Sequence, residues 1–74
     1  MKKQEYLQAR VSIMNTLAGT NYQDKQYNSY HHIEDNNGAC IAWGTYHDVL
    51  SSVNAIINFL NDTGAQVVQT SATK

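Results

Sequence analysis

An α+β fold follows from three features of the sequence. Apolar residues recur at helical spacing in a first block and again after Thr45. The stretch between the blocks lacks that period. It carries an Asn37-Gly38 turn signal between two short β-prone runs. The order helix, hairpin, helix then places both helices on one face of a small antiparallel sheet.

The first helix is expected over about Lys3 to Ala18. Tyr6, Leu7, Ala9, Val11, Ile13, Met14, Leu17 and Ala18 carry its period, and Gly19 is its stop. In the middle region Tyr22, Tyr27 and Tyr30 are strung through polar residues. The runs Tyr30-His-His-Ile33 and Ala39-Cys-Ile-Ala-Trp43 flank Glu34 to Gly38, which predicts strands over 28–34 and 39–44. Thr45-Tyr-His-Asp48 reads as a capping box with Asp in the usual place of Glu. After it Tyr46, Val49, Leu50, Val53, Ile56, Ile57 and Leu60 fill an arc of about 120°, an ordinary core stripe. Asn61 to Gly64 is read as the end of this second helix. A short β-prone piece follows over 65–69, as a possible C-terminal strand or a frayed end, and 70–74 is expected to be a disordered tail. The competing architecture is a small all-α bundle, in which residues from about Ala39 join the last helix and Gly44 is merely a weak point. A lone hairpin is barely stable in water, so the sheet needs a helix layer, a third strand or a strand from a partner.

The chain has 74 residues, a mass of 8.3 kDa and no proline, and it reads as one domain over 1–74. A domain of this size buries only about 60% of its unfolded surface. Val, Ile, Leu and Phe number fifteen, while 25 residues carry a side-chain amide or a Ser or Thr hydroxyl. The thin core makes self-association an expected route to stability, as a dimer or higher homo-oligomer. A net charge of −1 offers no basic excess for a phosphate backbone and no dense acidic surface for mimicry of DNA. The single Cys40 excludes an internal disulfide framework and favours a reducing, cytoplasmic setting. No apolar run nears the roughly 18 residues of a membrane span. After the basic start Met1-Lys2-Lys3, polar residues Gln4, Glu5, Gln8 and Arg10 interrupt any signal core.

Arg10, the only arginine, falls inside the apolar arc of the first helix, with Tyr6, Ile13 and Leu17 on one side and Leu7, Val11, Met14 and Ala18 on the other. One reading is snorkelling at the core edge. The other is a helix with two apolar stripes, the second serving another subunit or a target, with Arg10 set to pair with an anion. Phe59 falls well off the stripe of the second helix, beside Ala55, Ser52 and Asp48. Tyr27, Tyr30 and Trp43 add large amphipathic area among Asn and Ser, a composition suited to protein contact. Tyr6, Arg10, Tyr27, Tyr30, Trp43 and Phe59 are therefore the candidate interaction residues.

His31, His32, Glu34, Asp35, Cys40 and His47 have ligand chemistry without ligand spacing, because adjacent strand histidines point to opposite faces. No metal site and no cofactor are expected. Cys40 lies between Ala39 and Ile41, where a small buried thiol is the ordinary reading, and no signature motif points to catalysis. The expected function is therefore non-enzymatic: binding to a larger protein so as to block or modulate it, in the manner of an inhibitor of host defence carried by a phage or mobile element. The alternative is an oligomeric sponge for a small anionic ligand such as a nucleotide, with Lys3 and Arg10 on the charge and Tyr6 or Tyr30 stacking.

Overall fold

In the computed structural model, which describes residues 2–73 and their side chains through residue 62, a helix, three antiparallel strands and a second helix follow one another. Helix α1 spans Lys3–Ala18. The Lys2 N–H at its start donates to Glu5 Oε1 at 3.1 Å. It ends at Gly19, whose φ of +69° is the left-handed C-terminal conformation glycine takes without a Cβ penalty. Gly19 N–H donates to Asn15 O at 2.8 Å. The Asn15 side chain then aims the chain into the sheet. Its Oδ1 accepts from Tyr22 N–H at 2.9 Å and its Nδ2 donates to Tyr22 O at 2.7 Å, so one amide satisfies both backbone groups of Tyr22.

Strand β1 is Gln23–Tyr27, β2 is Tyr30–Glu34 and β3 is Cys40–Gly44, in the spatial order β1-β2-β3. The all-α alternative is thereby excluded. The expected strand over 28–34 begins two residues later, because Asn28 and Ser29 form the turn from β1, with Asn28 at φ +58°. The third strand comes from Gln23–Tyr27 and not from 65–69. Every residue of β1 pairs with β2, from Gln23 opposite Glu34 to Tyr27 opposite Tyr30. Gly64 does not end helix α2, which spans Tyr46–Thr73. An interior glycine costs a helix only about 1 kcal/mol relative to alanine, and no proline follows to break it. The disordered tail expected over 70–74 falls on residues whose side chains lie outside the described part.

Asp35 organises the loop between β2 and β3. Its Oδ1 accepts from Asn37 N–H and Ala39 N–H, both at 2.9 Å, and Gly38 takes a positive φ of +82°. Glu34 then pairs with Cys40 but Ile33 pairs with Ala42, so Ile41 is the extra residue of a bulge. The bulge reverses the side-chain alternation. Ala42 is turned inward and Cys40 outward, which overturns the expectation of a buried thiol.

The core joins Leu7, Val11 and Met14 of α1, Ile33 and Ala42 of the sheet, and Val49, Val53 and Ile57 of α2. Tyr22, Tyr46, Leu50 and Ile56 pack around it. The two helices run side by side in the same direction. Near their starts the Lys3 ammonium lies 5.7 Å from the centre of the Tyr46 ring, and farther along Arg10 reaches Asn54.

The junction of β3 and α2 is tightly built. Thr45 N–H and its hydroxyl donate to Asp48 Oδ2 at 3.0 and 2.9 Å, and Asp48 N–H returns to Thr45 Oγ1 at 3.4 Å. These are the two arms of the capping box. Gly44 precedes it at φ +145°, and a Cβ there would sit 2.7 Å from Asp48 Oδ2 and 2.9 Å from Asp48 Cβ. Gly44→Ala is therefore expected to lower stability by about 1–3 kcal/mol, read as a lower urea midpoint. The Asp48 carboxyl is held below its ordinary value of 3.8, first by the Thr45 backbone N–H and then by the Thr45 hydroxyl. A depressed carboxyl stabilises the fold above its unfolded value and loses that contribution as pH falls through its folded value. The gap in urea midpoint between the native chain and Asp48→Asn should be open at neutral pH and close as the pH drops below 3.8.

Candidate functional site

Strand alternation divides the sheet into two unlike faces. The inner face carries Ile33 and Ala42 against the helices. The outer face carries Tyr27, Lys25 and Gln23 of β1, Tyr30, His32 and Glu34 of β2, and Trp43 of β3. The bulge adds Cys40 to it. Register fixes the neighbours: Tyr27 stands opposite Tyr30, and His32 stands between Lys25 and Trp43.

The four rings form one cluster. His32 lies 4.8 Å from Tyr27 and 6.1 Å from Trp43, and Trp43 lies 6.4 Å from Tyr30, centre to centre. These are the separations of edge and tilted aromatic pairs. The cluster is nevertheless open to solvent, with Trp43 67% exposed and Tyr30 and Tyr27 at 49% and 48%. Charge on this face is balanced locally, since Lys25 Nζ lies 3.3 Å from Glu34 Oε1. Three of the residues singled out from sequence, Tyr27, Tyr30 and Trp43, are thus brought together on one surface.

The other three are not part of it. Arg10 is half-buried between the helices and donates from Nε to Asn54 Oδ1 at 2.7 Å. Tyr6, Ile13 and Leu17 form an exposed ridge on α1 beside it, while Leu7, Val11 and Met14 are in the core, so the helix does present two apolar stripes. Phe59 is exposed on α2, about 140° around the helix from Asn54 and so away from α1. Lys3, Tyr6 and Arg10 share the α1 side of the molecule, whereas Tyr30 stands on the outer face of the sheet, so the residues considered for an anionic ligand do not converge.

His31 and His32 point to opposite faces of β2, and among the described residues no three His, Cys, Asp or Glu side chains cluster as a metal site. His31 instead enters a contact that sequence reasoning missed. Its Nδ1 lies 2.9 Å from Oδ1 and 3.0 Å from Oδ2 of Asp24, with the two side chains 8% and 1% exposed. The Tyr46 ring meets the imidazole edge-on, 6.1 Å away. Gln23-Asp-Lys-Gln-Tyr27 gives no sign of a buried carboxylate, because the pair is diagonal across a strand that has almost no apolar period. A polar depression lined by Thr20, Asn21, Tyr22 and residues 35–37 also opens on the surface, but the Asp35 Oδ1 in it is already taken by two N–H groups.

Among the described residues no helix is long and apolar enough to cross a membrane. Comparison with protein-family models, with curated proteins and with solved structures gives no match.

Proposed function

We propose that this chain is a small non-enzymatic interaction protein that docks on a larger protein and blocks or modulates it. The observation that supports this reading is the open sheet face, where a mostly exposed Trp43 and two half-exposed tyrosines form one cluster with His32. Aromatic rings are enriched at the centres of protein interfaces, and Trp and Tyr dominate the residues whose loss weakens binding. A phage-borne or mobile-element inhibitor of a host defence complex, acting in the cytoplasm, is the concrete form of the proposal. The α1 ridge of Tyr6, Ile13 and Leu17 is a separate surface, to which we assign self-association.

Placing a photo-crosslinking residue at Trp43 tests the docking. In cells that naturally carry the chain, it should trap one discrete heavier protein, and the same group at Gln8, on exposed α1, should not. Equal or absent trapping from both positions would remove the proposal. Light scattering reads self-association, which Ile13→Lys should reduce to monomer.

A further inference from the structure

We infer that the outer sheet face recognises a short proline-rich extended segment. The inference rests on the docking reading above and specifies its ligand. A Trp or Tyr side chain offers roughly 150–250 Å², so the exposures of Trp43, Tyr30 and Tyr27 leave on the order of 350 Å² of aromatic surface. A stable interface between folded proteins takes about 800 Å² from each partner. The aromatic part of the face is less than half of that, enough by itself to seat a short segment.

Lys25 lies against Glu34, which also faces His32 Nδ1 at 3.9 Å, so charge on the face is balanced and favours neither an acidic nor a basic peptide. Stacking platforms for single-stranded nucleic acid need cations along the groove, and the one lysine of this face is paired with Glu34.

The Trp43 indole N–H and the hydroxyls of Tyr27 and Tyr30 sit on exposed rings, and none of them enters a side-chain hydrogen bond among the described residues. The patch therefore offers flat apolar surface and unused donors. A polyproline II segment offers the complement. Its backbone makes no internal hydrogen bonds, its prolines have carbonyl acceptors and no N–H, and their rings are compact and apolar. The Tyr30 and Trp43 rings meet edge-on at 6.4 Å and 62°, so together they present a continuous aromatic surface over which such a segment can lie. The stiffness of polyproline II lowers the entropy lost on binding, which suits a patch this small. The chain contains no proline, so the occupant belongs to another protein.

Trp43 is the only tryptophan, so its emission reports this face directly. Titration with decaproline should give a saturable change in emission, and a Gly-Ser peptide of equal length should give none. Tyr30→Ala should weaken the decaproline response about tenfold or more, while circular dichroism stays that of the native chain. If decaproline gives no saturable change although the crosslinker at Trp43 traps a partner, the proline inference is overturned and the docking reading stands. If both experiments are negative, both fall. If emission instead changes with protein concentration alone, the occupant is a second copy and the proline inference is again overturned.

Discussion

Trp43→Ala is expected to weaken binding to the trapped partner by about 30- to 1000-fold, the loss of roughly 2–4 kcal/mol typical of a central aromatic anchor. The chain should remain folded. Trp43 is 67% exposed and lies on the face away from the core, where its contacts are the rings of Tyr30 and His32. Cross-strand pairs of this kind contribute about 0.2–1 kcal/mol each, so the urea midpoint should move little. Binding is best read by titration calorimetry against the purified partner, with the unfolding curve taken on the same samples. Phe59→Ala is the comparison. Phe59 is equally exposed but sits on α2, so its replacement should cost much less if the sheet face is the contact. Unchanged affinity in Trp43→Ala, or a larger loss in Phe59→Ala, would move the binding surface to the helices.

His31→Ala is expected to destabilise the fold by about 3–5 kcal/mol, which for a domain this small approaches the whole of its stability. The reason is Asp24. Its side chain is 1% exposed, and both its oxygens face His31 Nδ1 at 2.9 and 3.0 Å. Removal of the imidazole leaves a carboxylate buried without a donor, and that desolvation is what makes a half-broken buried pair costly. The pair also ties β1 to β2 where β1 has almost no apolar side chains to hold it. Replacing both partners together, as Asp24→Leu with His31→Leu, should recover most of the loss, because no orphaned charge remains. Urea unfolding of Asp24→Leu, His31→Leu and the double variant closes the cycle. A double variant as unstable as His31→Ala would show that shape, and not the orphaned charge, governs the site.

Much of the architecture is legible residue by residue. The apolar period of α1 and the glycine after it place that helix over Lys3–Ala18, as observed. Thr45 and Asp48 announce the start of α2 and bond as a capping box should. The Glu34-to-Gly38 stretch marks the second hairpin. What misled at the end of α2 was Gly64, whose modest penalty does not by itself stop a helix. The interaction residues were legible only as types. Exposed aromatics are found by composition, but which of them share a surface depends on register.

The sequence alone determined the extent of α1, the start of α2 and the turn before β3, and it favoured the α+β class over an all-α bundle, because periodicity and capping act over a few neighbouring residues. Only the tertiary structure decided the rest. Gln23–Tyr27 becomes a strand through pairing with β2 and through the Asp24–His31 contact, neither of which is local. The bulge at Ile41 reverses the alternation of β3 and turns Cys40 outward. Strand register then sets Tyr27, Tyr30, His32 and Trp43 side by side on the uncovered face, while Arg10 is drawn to Asn54 between the helices. Pairing across strands is chosen by the whole sheet and its helix layer, so a site built from three strands takes form only when the chain folds.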